Sequence, residues 1–396
     1  MTFALPLRVP ASLAGFLLAV LAASTSAAEG LCPPPGAWTL PAASGAAPVA
    51  LRTVLDHVAD RRVVLLGEHH DSMEHHRWQL HVASAMLSRN ESIVLALEMF
   101  PRAAQPVLDR WVAGELTEKA FLEQSQWSKV WRFDAQLYLP LFHFARIHRI
   151  PMVALNIDNT LTRKVSQVGF DGVAELRELG ISRPAEPMET YRDFLWASFS
   201  QHSSAGDGKD SSPADNPQFR RFLESQLTWD RAMAHAIRDA LTMRPGARVV
   251  ALLGSGHAMN GWGVEWQLRD MGVTDVASFL PSDAGMACAD VEPGQATALF
   301  GVGDTVEGEQ SRPRLGVWLE MANDRVSVRK VEDGSIASQA GVQAGDVLVE
   351  VAGRSCRTVE DVVDRIVLQP PGSWLPLKVS RGTDVMDLIA KFPAQR

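Results

Sequence analysis

The chain has 396 residues, 46% of them hydrophobic, and a formal net charge of −8 with histidine neutral. That length exceeds one ordinary domain, and the apolar fraction suffices for sizeable cores. The acidic balance excludes nucleic acid and anionic membrane surfaces as expected partners.

Arg8 is the only charged side chain ahead of an apolar run over 11–23, which small residues follow as far as Ala28. A positive start, a short apolar run and a small-residue site predict a secretory signal over 1–28, hence an exported, periplasmic protein. The run falls short of the about 20 residues that span a bilayer. Cys32 comes soon after, but Leu31 directly before it is not the small residue that lipid attachment wants. This argues against a lipid anchor and leaves membrane association open. In an oxidising compartment Cys32 and Cys288 could pair and leave Cys356 over, a reading from compartment and parity alone.

Short apolar runs at 63–67, 93–99, 152–156, 248–254 and 276–280 predict strands buried on both faces. Helix-like segments follow the first four, so the expected fold is α/β, a mainly parallel sheet flanked by helices. Asp71 and Glu74 predict a capping box on the helix after the first strand. A helical insertion over 160–243 predicts a cap, with a Ser-, Gly- and Asp-rich loop at 203–216. The expected division is a signal peptide at 1–28, an α/β domain at 29–289, a Gly-, Glu- and Pro-rich linker at 290–313 and a small β-rich domain at 314–396.

The last part contains Arg314-Leu315-Gly316-Val317, Ser335-Ile336-Ala337, Ala340-Gly341 and Gly345-Asp346-Val347-Leu348. It resembles the PDZ domains of bacterial periplasmic proteases. The resemblance implies that backbone N–H groups of Leu315, Gly316 and Val317 hold a peptide carboxylate, with a groove helix over 358–368. Protein C-termini or peptides are then the partners, bound by strand addition at a sheet edge. A PDZ module that docks only on its own neighbouring domain stays open.

In an open parallel sheet, ligands bind beyond the carboxyl ends of the strands. Those ends carry Glu68, His69, His70 and Asp71, then Glu98, then Asn156 and Asp158, then Ser255, Gly256 and His257. A Gly-x-x-His pattern occurs twice, at Gly67/His70 and Gly254/His257. One histidine at a strand end is most often structural; two with Glu98 between them make a better candidate. Glu68, His70, Glu98 and His257 are also a metal-ligand set, or a set that could activate water in a hydrolase. His69, His75, His76 and His81 are read as cap, helix-surface or supporting residues. Further on, Phe219, Leu223, Gln226, Asp230, Met233, Ile237 and Leu241 share one helical stripe. Gln226 and Asp230 interrupt an apolar face, and each buried unpaired would cost about 1–3 kcal/mol. Their partners are expected to be loop backbone or a ligand.

Five blocks together resemble the ChaN family of the haem-binding-uptake, Tiki superfamily over about 50–280. They are Leu66-Gly67-Glu68-His69-His70-Asp71; Leu97-Glu98-Met99-Phe100; Trp127-Ser128-Lys129-Val130-Trp131 leading to Tyr138-Leu139-Pro140-Leu141; the run 222–234 from Phe222 to Ala234; and Gly254-Ser255-Gly256-His257. The resemblance implies haem as cofactor, with His70, Tyr138 and His257 around it, and a role in iron uptake. Tyr138 is either a phenolate ligand to ferric haem or a core aromatic bonded to a carbonyl. Trp111, Trp127, Trp131, Trp196, Trp229 and Met233 would suit a porphyrin, although a core would use them too. Other branches of the superfamily imply a metal-dependent protease or esterase, with a divalent metal as the cofactor. A non-catalytic periplasmic adaptor is the third reading, and a homodimer is left open. The appended PDZ module is not part of the core family.

Overall fold

The structure, a computed structural model, describes residues 32–42, 47–89, 91–202, 216–283, 291, 294–303 and 314–394. The expected signal peptide, residues 203–215 of the expected loop, and Cys288 lie outside the described residues. Cys32 is disulfide-bonded and Cys356 is free. No helix among the described residues is long and apolar enough to cross a membrane. The chain divides into two compact units between Asp304 and Thr305.

The first unit is built on seven strands: β1 (Trp38–Thr39), β2 (Val63–Glu68), β3 (Ile93–Pro101), β4 (Met152–Asn156), β5 (Arg248–Gly254), β6 (Val276–Asp283) and β7 (Ala298–Val302). Their order is β1-β7-β6-β2-β5-β3-β4, and every pairing is parallel except β1 with β7. β2 to β6 are the five strands expected from their apolar runs. Each is buried on both faces because helices cover both sides, so alternation is absent. Val64, Leu66, Leu95 and Leu97 join one core layer, and Val63, Leu65, Val94 and Ala96 the other.

Two details differ from expectation. β7 lies inside the stretch read as linker, because Ala298 and Leu299 are buried and pair with Phe279 and Leu280 of β6. Its Gly- and Pro-rich surroundings hid a strand that only sheet pairing creates. The helix after β2 starts one residue later than expected: Ser72 is its N-cap, accepting the His75 N–H, and Asp71 and Glu74 form no capping box. The Ser72 N–H bonds back to the His69 carbonyl, closing a turn that delays the first helical residue.

The inserted helices Asn159–Val168, Glu189–His202 and Pro217–Met243 do more than cap. The C-terminal half of the last one puts Met233, Ala234, Ile237 and Ala240 into the core layer over the sheet.

The second unit is an antiparallel sheet of β8 (Val317–Ala322), β9 (Arg325–Val331), β10 (Val347–Val351), β11 (Arg354–Ser355), β12 (Trp374–Arg381) and β13 (Asp384–Lys391). The order is β13-β12-β10-β9-β8, with β11 on β10. β8 is therefore an edge strand, and helix Val359–Val367 packs near it. That helix carries a Thr358/Asp361 capping box and matches the expected groove helix. Asp346 is fully buried and takes a two-pronged hydrogen bond from Arg381 at 2.7 and 2.8 Å. The Gly345-Asp346 turn is thus pinned to β12.

Candidate functional site

Strand order brings the site together. β5 lies between β2 and β3, and Glu68 stands in register with Gly254 while Leu97 stands in register with Leu252. Glu68 therefore stands level with Gly254, and Glu98, one residue past the last β3–β5 pair, reaches Gly254 from the other side of β5. A register irregularity follows Leu97 on β3, a feature common where a strand re-aims a side chain beside a site.

The two glycines of the repeated motif are needed for space rather than for turning. A Cβ on Gly67 would lie 2.4 Å from Leu280, and one on Gly254 would lie 3.1 Å from His70 Cε1 and 3.7 Å from His257 Cδ2. His70 and His257 thus converge over Gly254.

Each histidine is held from behind in the same way. The His70 Nδ1–H donates to Glu68 Oε1 at 2.8 Å, and the Tyr138 hydroxyl donates to the same oxygen at 2.6 Å. His257 Nδ1 lies 2.5 Å from Asp230 Oδ1, and the Tyr191 hydroxyl donates to Asp230 Oδ2 at 2.9 Å. The first relay ends in the core layer of Leu66 and Tyr138, the second in the cap cluster where Tyr191 packs with Leu195 and Phe219. In both, the carboxylate fixes Nδ1 and leaves Nε2 to face the cleft. His257 Nε2 lies 3.6 Å from Glu98 Oε1, a buried oxygen with no hydrogen-bond partner among the described residues, while Glu98 Oε2 accepts the Gly254 N–H.

Electrostatics follow from this burial. Burial pushes the Glu68 carboxyl up, but His70 and His76 beside it outweigh that and hold it well below the usual carboxylate range. Burial lowers His257, yet the charges of Asp230 and Glu98 raise it to about 9. For His70, burial is likewise outweighed, by the Glu68 hydrogen bond and the charges of Glu98 and Glu68, so its pKa is raised.

The open sequence readings resolve as follows. Tyr138 is the buried core aromatic of its two readings: its hydroxyl donates to Glu68 Oε1 and also reaches the His70 carbonyl at 3.2 Å, and burial and the Glu68 charge push its pKa far up. It is no exposed phenolate ligand. Glu68, His70, Glu98 and His257 come together, but not as a metal cage: Glu68 Oε1 accepts from Tyr138 and His70, and Oε2 accepts from Gln79 at 2.9 Å. Asp230 is paired by side chains rather than by loop backbone: its partners are His257 and Tyr191. Tyr191 was missed altogether. The signal was there: the chain has two tyrosines, and Asp230 interrupts an apolar stripe.

A different trio, His69, His75 and Asp283, brings its candidate ligand atoms within 4.8 Å. His75 Nδ1 accepts the His69 N–H, so its proton sits on Nε2, which faces Asp283 at 2.8 Å. The trio is linked by hydrogen bonds, and its ligand atoms lie close enough together to hold a metal ion. His76 is buried, stacks edge-on against Tyr138 and lies 3.5 Å from Glu68.

His70 forms part of the wall of two cavities. One, of about 1070 Å³, has Met99, Trp131, Phe133 and Trp229 as apolar walls. Its cations are Lys129, Arg132, Arg163 and Arg221, and Asp158 is the single carboxylate among its described lining residues. The other, of about 620 Å³, lies against Glu68, Asp71 and His257. Asn156 lines the first cavity and donates to the Glu98 carbonyl. Of the cap aromatics, Trp131 and Trp229 reach this cavity. Trp111 and Trp127 belong to the sheet core, and Trp196 packs with Phe219.

In the second unit, Leu315 is buried, Gly316 is left-handed (φ +77°) and Val317 opens β8. A Cβ on Gly316 would lie 2.2 Å from Ser335 Cβ, so glycine is required there by both backbone and space.

Residues 54–268 match the family described as haem-binding uptake, Tiki superfamily, ChaN, and residues 327–381 match a PDZ domain. Among solved structures, the chain is similar to one described as cofacial heme binding to ChaN of Campylobacter jejuni. That match has 18% identity and a TM-score of 0.49, and covers 64% of this chain and 92% of that one. It is also similar to the HtrA3 PDZ domain bound to a phage-derived ligand, at 23% identity and TM-score 0.18, covering 20% of this chain and 83% of that one. A putative serine protease HhoB of Synechocystis sp. (strain ATCC 27184 / PCC 6803 / Kazusa) is 38% identical over 61 residues. The chain spans 15% of that curated relative's length. The ChaN match covers more than half of the sequence, and the chain belongs to the ChaN family of the haem-binding-uptake, Tiki superfamily, with a PDZ domain behind it.

Proposed function

We propose that the first unit binds haem in the larger cavity, with His70 as the iron ligand. The observation that carries this is the cavity itself: aromatic and apolar walls beside four cations and one carboxylate. Such a lining suits a flat apolar ring bearing two carboxylates. The donor set fits as well. With Nδ1 committed to Glu68, the neutral form of His70 offers Nε2 as its donor atom, and Nε2 has no hydrogen-bond partner among the described residues. The bound iron would supply the redox chemistry, while the protein's own groups orient the ligand and balance its charge.

The family's uptake role and the expected signal sequence support an exported protein that takes up or carries haem. The PDZ unit would dock it to protein C-termini, since β8 offers a free edge beside the groove helix. The test is haemin titration of the full chain followed in the visible range. A saturable Soret band that changes in His70→Ala supports the reading, and no saturable band refutes it.

A second reading is acid–base chemistry in the smaller cavity. It is favoured by two carboxylate-backed imidazoles facing one glycine. Metal-free protein should then turn over small acyl esters with activity that falls in both His70→Ala and His257→Ala.

A further inference from the structure

We propose that the free edge of β8 takes a protein C-terminus whose last and third-last side chains are aliphatic and whose penultimate side chain is an aromatic ring stacked on Trp318; this rests on the docking reading above. Gly316, just before β8, gives its carbonyl to the Glu332 N–H, while its own N–H has no acceptor among the described residues. With the exposed Arg314 two residues earlier, that end of the strand suits a carboxylate. A chain whose carboxyl end sits at Gly316 runs antiparallel to β8 and pairs with the ladder groups that β9 leaves unused.

Alternation along β8 then divides the added side chains between two surfaces. Val317 and Leu319 are half-buried against the core of the second unit, next to helix Val359–Val367. That helix buries Val362 and Ile366 but leaves Val363 and Val367 45% and 37% exposed. Four helical residues rise about 6 Å, and two strand residues span about 6.8 Å. Val363 and Val367 therefore match the spacing of the last and third-last side chains. With Val317 and Leu319 they offer no polar partner, so a charged side chain there would lose its water without compensation.

Trp318 stands on the opposite face of β8. It is 58% exposed, and Lys330, opposite it on β9, has its Nζ 5.3 Å from the ring centre. Lys330 comes from the inner neighbour, so the penultimate residue of an added strand falls across from Trp318 on the free side. An aromatic pair at that position raises affinity about 3- to 10-fold.

The experiment is a fluorescence-anisotropy titration of the full chain with labelled synthetic octapeptides. The parent ends Val-Phe-Val with a free carboxylate; the others carry a C-terminal amide, a third-last Asp or a penultimate Ala. The amide and Asp forms should bind at least about tenfold more weakly than the parent, and the Ala form about 3- to 10-fold more weakly. In Trp318→Ala the parent and the Ala form should bind alike. Equal affinities of these two peptides for wild type, or a penultimate preference that survives in Trp318→Ala, overturn the aromatic position. An Asp form that binds as the parent does overturns the aliphatic pair. If Trp318→Ala does not fold, the peptide series on wild type decides alone. Failure of the docking reading looks different: wild type binds none of the peptides, or binds the amide as well as the parent.

Discussion

His70 and His257 approach Gly254 from separate relays, each with a buried carboxylate behind Nδ1 and a tyrosine hydroxyl on that carboxylate. The duplicate arrangement uses both tyrosines of the chain. It holds two imidazoles at one strand end without any Lys or Arg partner among the described residues.

Asp230 is the keystone of the second relay, so its removal leaves buried groups unpaired. Asp230→Ala strands the Tyr191 hydroxyl and the His257 Nδ1 proton. A loss of about 3 kcal/mol in unfolding free energy is expected, measured by urea denaturation of the full chain. A loss below about 0.5 kcal/mol would show that the relay does not bear on stability.

The raised pKa of His257 sets a pH dependence. Its folded value is about 9, against about 6.5 when unfolded. The contribution is fully present below the unfolded value and is lost as pH rises through the folded one. Thermal melts of the first unit should therefore fall between about pH 6.5 and 9, and Asp230→Asn should flatten that fall. Stability that rises across this window contradicts a histidine held charged by Asp230 and Glu98.

The cavity cations should govern haemin affinity through charge. Arg163→Ala and Arg221→Ala should each weaken binding by about 3- to 10-fold at low salt, with a smaller difference at high salt. Haemin titration at two ionic strengths checks this. Identical affinities would separate the ligand's carboxylates from these side chains.

The C-terminal limit of the first unit is set by β7. A chain ending at Gly303 should fold and bind haemin as the full chain does. One ending at Pro281 loses the buried Ala298, Leu299 and Val302, a loss of about 5 kcal/mol. Circular dichroism melts of the two chains decide the matter; equal melting would make β7 dispensable.

In the second unit, Asp346→Ala should leave Arg381 without its two-pronged partner and free the Gln343–Asp346 turn. The second unit should lose about 3 kcal/mol while haemin affinity stays as in wild type. Differential scanning calorimetry with parallel haemin titration separates the two effects.

The sequence by itself determined the five central strands, because continuous apolar runs such as Val63–Leu66 can satisfy their backbone only inside a covered parallel sheet. It determined the PDZ unit too, since Gly316 and the Gly345-Asp346 turn obey local backbone and hydrogen-bond demands. It also placed His70, Glu98 and His257 at strand ends, where distance along the chain does not matter. What it left open was pairing. Whether Tyr138 meets iron or Glu68, and whether Asp230 meets backbone or His257, depends on which faces of separate elements pack together. Those contacts join residues 70 and 27 positions apart, and no local pattern encodes them. β7 was hidden for the same reason: five residues amid glycine and proline become a strand only when β6 supplies the edge.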